Sequence, residues 1–221
     1  VHAPRHVMLL CALLCAFTLA ALSVEAHAAI VPPYDADREV THLTARFSPS
    51  GGIVHGTWKA NNKGNRLNAP KGASWGSWFP GGEGTTLSNG TLRARLRASK
   101  KVDAAVLIRA RYGDSGDVES GYRIRLKGRS LELHVIKGGK ERRVGPKESI
   151  SRWPSGLIEL VIIAMGPDIV TQAWDAKKGT LLGALSVKDD THRQGKVGLA
   201  SRRGKEQHGR FLLLATRDAC E

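Results

Sequence analysis

The sequence predicts an all-β fold, an antiparallel sandwich or barrel, and three observations carry that expectation. Apolar and polar residues alternate with a period of two through much of the chain. No stretch keeps an i, i+3, i+4, i+7 apolar stripe for three turns, so little helix is expected. Turn residues recur at roughly regular spacing, as they do between the short strands of sandwiches and barrels. Composition agrees: 221 residues, 41% hydrophobic and 24% charged, suit one large or two small globular domains. A multi-span membrane protein and a disulfide-stapled mini-protein are excluded, the latter because the whole chain has 3 Cys.

Residues 1–28 read as a signal peptide. Arg5 and His6 precede an apolar run from Met8 to about Leu22, and Ala26-His27-Ala28 offers a small-residue cleavage site. The run is shorter than the roughly 20 residues of a spanning helix. A secreted or periplasmic chain with no membrane span after cleavage is therefore expected. Cys11 and Cys15 leave with the signal. Residues 29–38 (AIVPPYDADR) read as a linker, because Pro32-Pro33 favours extended, unpaired backbone.

The remaining elements follow in order over a single domain, residues 39–217. Glu39–Phe47 and Ile53–Trp58 are strand candidates. Residues 59–90, with 7 Gly, 5 Asn and 2 Trp, read as one long irregular region. Thr91–Ala98 sets Leu92, Ala94 and Leu96 against Arg93, Arg95 and Arg97, and Gly121–Lys127 sets Tyr122, Ile124 and Leu126 against Arg123, Arg125 and Lys127. Val102–Arg111 and Leu131–Val135 lie beside them. Leu157–Ala164 is apolar except for Glu159, as in a strand covered on both faces. Asp168–Trp174, Leu181–Val187, Lys196–Ser201 and Gly209–Thr216 complete the set. Residues 218–221 form a tail whose Cys220 predicts an intermolecular disulfide, or a partner cysteine in a further C-terminal domain.

Charge is the most informative functional feature. Residues 91–147 hold 16 Lys+Arg against 6 Asp+Glu, most of the chain's net +14. Arg93 and Arg95, Arg109 and Arg111, and Arg123 and Arg125 project from three strands. Side by side they form a cationic panel whose planar forks suit sulfate, phosphate or carboxylate. The alternative is a solvated sheet face that protects an edge by charge. A pI near 10.1 fits nucleic acid, yet export argues against that as the physiological partner, and no nucleic-acid motif is present. A glycan or anionic polysaccharide fits better. Trp75 and Trp78, beside the Gly/Asn-rich stretch, are candidate sugar-stacking platforms; Trp153 and Trp174 are read as core.

The loop Asp114-Ser115-Gly116-Asp117-Val118-Glu119 has two readings. Asp114, Asp117 and Glu119 hold Ca2+ through oxygen ligands, or the segment is a polar hairpin turn. No other cofactor is expected. Enzyme signatures fail: no E-x-D-x-x-E run places paired carboxylates on one strand, and the histidines lack metal-ligand spacing.

An R-x-R strand, an acidic loop, GYRIRL, LELHV, a Gly-Gly turn, WPSGLIELVIIAMGPDIV, a D-x-x-x-G-T-L turn, GKVGLAS and GRFLLLAT succeed one another. This order resembles the concanavalin A-like jelly roll, as in laminin-G-like modules, and most of all the 3-keto-disaccharide hydrolase domain family. The likeness covers residues 85–217 well and 39–84 loosely. It implies a two-sheet jelly-roll sandwich with a concave face that binds sugars in many relatives. A secreted, non-catalytic module binding an anionic glycan through a basic face is the leading expectation. The alternative is a glycoside hydrolase whose acid or base comes from Asp114, Asp117, Glu119 or Glu132.

Overall fold

The structure, a computed structural model, describes residues 43–46, 52–61, 64–68, 74–80, 86–97, 103–151, 157–202 and 212–216. All lie within the compact unit Val31–Glu221. The expected signal peptide, linker and C-terminal tail, together with Trp153 and Cys220, fall outside the described residues. Among the described residues there are sixteen strands and no helix. They are β1 (Leu43–Arg46), β2 (Gly52–His55), β3 (Thr57–Asn61), β4 (Gly64–Asn68), β5 (Trp75–Pro80), β6 (Thr86–Leu87), β7 (Gly90–Arg97), β8 (Asp103–Tyr112), β9 (Val118–Lys127), β10 (Ser130–Lys137), β11 (Lys140–Ser149), β12 (Leu157–Met165), β13 (Asp168–Asp175), β14 (Thr180–Lys188), β15 (Gly195–Arg202) and β16 (Leu212–Thr216).

Two antiparallel sheets face each other as a jelly-roll sandwich. The six-stranded sheet runs β1-β16-β7-β12-β13-β14, and the eight-stranded sheet runs β11-β10-β9-β8-β15-β5-β2 with β6 on β15. β3 and β4 form a separate hairpin. Period-two alternation gives each strand its inner side. Leu92, Ala94 and Leu96 of β7 and Ile158, Leu160 and Ile162 of β12 share one core with Tyr122, Ile124 and Leu126 of β9 and Leu131, Leu133 and Val135 of β10. Full burial of a side chain of this size contributes about 1.5–3 kcal/mol.

The expected irregular region 59–90 contains β4, β5 and β6. β5 (WGSWFP) escapes the pattern because both of its faces are covered: Gly76, Ser77, Trp78 and Phe79 are all buried. β11 escapes it for the opposite reason. It is an edge strand exposed on both sides and carries charge, as unpaired edges do. β10 turns into β11 through Gly138 and Gly139, at φ 56° and 72°, the left-handed pair that a tight two-residue hairpin requires.

One irregularity has structural weight. The register between β8 and β9 shifts between Ile108 and Arg111, and Arg109 sits at φ 50°, the single non-glycine at positive φ among the described residues. Glycines flank the bulge because nothing larger fits. A β-carbon on Gly195 would lie 2.3 Å from the Arg109 carbonyl carbon, and one on Gly121 would lie 2.5 Å from Ala110 Cα.

Candidate functional site

The six candidate arginines do not form one panel. Arg93 and Arg95 lie on the outer face of the six-stranded sheet, where β12 presents Glu159 between them. Arg93 Nη1 donates to Glu159 Oε1 at 3.1 Å and Arg95 Nε to Oε2 at 2.8 Å, with Glu159 fully buried. A carboxylate out of water needs such partners. These two charges are consumed internally.

Arg109 stands apart from both pairs. It is 1% exposed, and its guanidinium donates to three carbonyls. Nε and Nη2 reach Ser88 O, while Nη1 reaches Gly166 O at 2.7 Å and His192 O at 3.1 Å. One side chain thus ties together the turns before β7, after β12 and after β14. Tyr122 reinforces the same end, donating to Asp189 Oδ1 at 2.7 Å while accepting from His192 N. Arg111 stands exposed beside them.

Arg123 and Arg125 occupy the outer face of the eight-stranded sheet, and the candidate site is built there. Register places Glu132, Arg125, Ala105, Ala200, Ser77 and His55 in one row across β10, β9, β8, β15, β5 and β2. The middle of the row is small and its ends are large. Across it, Trp75 packs on the Phe79–Ala105–Leu107–Ala200 patch. The Arg123 and Arg125 guanidinia lie 4.2 Å and 5.2 Å from the Trp75 ring centre, which fixes the indole by cation–π contact.

The hairpin loop between β8 and β9 folds over this face and is pinned there. The Ser77 hydroxyl donates to Gly116 O at 2.6 Å, and His55 Nδ1 meets Ser115 O at 3.0 Å. The resulting cleft of about 360 Å³ is bordered by His55, Trp75, Asp117, Arg123, Glu141 and Arg202 among others. That volume lies at the small end of the range for ligand sites.

Beneath the cleft runs a buried polar network. His134 Nε2 lies 2.9 Å from Glu132 Oε2, and its Nδ1 lies 2.9 Å from Glu141 Oε1. Glu141 also accepts from Arg123, and Arg125 pairs with both oxygens of Asp103 at 2.7 and 2.8 Å. Burial lowers the Arg123 pKa to about 10 against the pull of Glu141, so it stays cationic at neutral pH. Burial also pushes the Glu132 and Glu141 carboxyls up. The His134 hydrogen bond and the neighbouring cations outweigh it, and both end below the ordinary glutamate value. Their stabilising contribution is thus complete above the ordinary carboxylate range and fades as pH falls through it. The melting temperature is expected to drop between pH 5 and pH 3. Glu141→Gln should start lower at pH 7 and lose less on acidification; parallel thermal melts of the two proteins would show it.

Other sequence expectations need correcting. Trp78, three residues after Trp75 on one strand, faces the opposite side and is 2% exposed in the core. Trp174 is buried as expected, but on the outer side of its sheet, donating to Gln172. Glu132 is held by His134 and does not border the cleft, whereas Asp117 does. Asp117 and Glu119 both lie near Gly113, and Asp114 does not join them in a group of three. Among the described residues no three acidic, His or Cys side chains converge as a metal site needs. The loop turns tightly, with Gly116 N donating to Gly113 O at 2.8 Å and Ser115 Oγ to Asp117. His55, Ser77, Glu141 and Arg202 escaped the sequence reading. They come together through strand pairing alone, which no local motif announces.

No family model matches the chain. No curated protein matches it either. Solved structures do share its fold. The carbohydrate-binding module CBM66 from Bacillus subtilis superposes with a TM-score of 0.51 at 13% identity, over 76% of this chain and 92% of that one. The VIP36 exoplasmic/lumenal domain in its Ca2+/Man3GlcNAc-bound form gives 0.52 at 10% identity, over 78% and 87%.

Proposed function

We propose that this chain is an exported, non-catalytic module that binds an acidic glycan in the cleft on the outer face of its eight-stranded sheet. The observation that carries the reading is the fixed aromatic wall of a cleft that also carries guanidinium groups. Trp75 is locked by two guanidinia, and Arg123 and Arg202 border the same cleft. Guanidinium N–H groups are donors, and sugar hydroxyl and carboxylate oxygens are acceptors. The indole supplies a flat apolar surface for the sugar ring. The fold likeness supports the reading further, since the two structures compared are described as a carbohydrate-binding module and as a complex with Man3GlcNAc.

Binding suits the carboxylates better than hydrolysis. A glycosidase of the kind the hydrolase resemblance implies needs one free carboxyl acid and a second carboxylate across the bond. Asp117 and Glu141 both border the cleft, but Glu141 is engaged by Arg123 and His134. The test is an array of neutral and acidic oligosaccharides probed with pure protein, followed by titration of the hits. Saturable binding without release of a shorter sugar is expected. An array silent throughout would overturn the reading.

A further inference from the structure

We propose that the binding cleft continues around the β10–β11 hairpin onto a cationic shelf at the end of the sandwich, which takes the acidic groups of a polysaccharide chain. The inference rests on the carbohydrate-binding reading and adds where and how acidity is recognised.

Three hollows adjoin one another. Glu141 borders both the cleft and a second hollow of about 320 Å³, whose wall includes Lys137, Lys140, Arg142 and Thr191. Thr191 in turn borders a third hollow of about 350 Å³, which Arg111 and Arg193 also line. Between the first two stands the hairpin tip, Gly138-Gly139. A β-carbon on either glycine would meet nothing within 4 Å, so the tip is a bare saddle with Gly139 already on the cleft wall. A chain molecule can cross it without meeting a side chain.

The charges on the far side differ from those on the sheets. Arg93 and Arg95 are tied to Glu159, Arg123 to Glu141 and Arg125 to Asp103. Lys137, Lys140, Arg142 and Arg111 are exposed and form no ion pair among the described residues. Arg193 is paired with Asp190. Glu141 and the Asp189 carboxylate near Arg142 lie among them, yet cations predominate around the adjoining hollows, and edge protection of β11 does not require that excess. A ligand that fills the cleft and reaches four open cations must be long and carry repeated anionic groups. Among such polymers, the sugar-sized cleft favours an acidic polysaccharide over a nucleic acid.

The experiment measures binding of a heparin oligosaccharide, of a neutral oligosaccharide that scores on the array and of a single-stranded DNA oligomer. Wild type is compared with Lys140→Gln/Arg142→Gln, with Arg111→Gln and with Trp75→Ala. The double variant is expected to bind heparin at least tenfold more weakly, with a shallower salt dependence, and to keep its neutral-sugar affinity and melting temperature. Arg111→Gln should lose less in the same direction, and Trp75→Ala should lose both sugars. Full heparin affinity in the double variant would overturn the shelf, as would heparin binding that ignores Trp75. DNA bound as tightly as heparin and lost in the same variants would also overturn it, revealing a polyanion surface without sugar selectivity. Neutral-sugar binding with no heparin binding removes the shelf and the acidity of the ligand, and leaves sugar binding in the cleft standing. Failure of both sugars removes both.

Discussion

Replacing Arg109 with Met is expected to cost about 3 kcal/mol, roughly a 10 °C fall in melting temperature for a domain of this size. The arithmetic comes from the acceptors left behind. Ser88 O, Gly166 O and His192 O lose their shared donor, and a buried polar group stripped of its partner costs about 1–3 kcal/mol, less wherever water can enter. Methionine fills much of the space, so the loss reports hydrogen bonding and charge more than cavity. Arg109→Lys should recover only part, because an ammonium cannot span three carbonyls as the planar fork does. The exposed neighbour Arg111→Ala should stay within about 0.5 kcal/mol. Equal melting temperatures for Arg109→Met and wild type would mean that other contacts hold the three turns. A positive φ normally costs a non-glycine residue about 1–3 kcal/mol, and the fourfold hydrogen bonding accounts for its persistence here.

Trp75→Ala should weaken binding of an array-positive oligosaccharide at least thirtyfold, about 2 kcal/mol. Two losses combine. The sugar loses its apolar wall, and Arg123 and Arg125 lose the ring that holds their guanidinia in place. Trp75→Phe keeps a ring of smaller area and should fall between. The fold should tolerate both changes, because Trp75 packs at the margin of the outer-face patch and not in the core between the sheets. Undiminished affinity in Trp75→Ala, with native stability, would place the sugar elsewhere.

The residues explain how far the sequence could be read. β7, β9, β10 and β12 were legible because each alternates cleanly or is apolar throughout, and alternation reports which residues share a side. It does not report which sheet a strand joins. Arg93 and Arg123 both point outward from their own sheets, yet β7 pairs with β12 and β16 whereas β9 pairs with β8 and β10. Pairing over such sequence distances is decided by tertiary packing, so a panel imagined from parallel patterns became two separate ion-pair clusters. Trp75 and Trp78 teach the same lesson at short range. Once β5 is known to be a strand, an offset of three forces them to opposite faces. β5 itself was hidden because large aromatics lie on both of its faces, so no apolar–polar alternation marks it.

If sugar binds on the outer face of the eight-stranded sheet, backbone amide and indole signals of isotope-labelled protein should locate it during titration with an array-positive oligosaccharide. Saturable shifts are expected at Trp75, Ser77, Val118 and Gly139, which surround the cleft, with Met165, Asp168 and Lys188 on the opposite sheet unmoved. Shifts concentrated on Arg95, Gln172 and Trp174, with Trp75 silent, would contradict that placement.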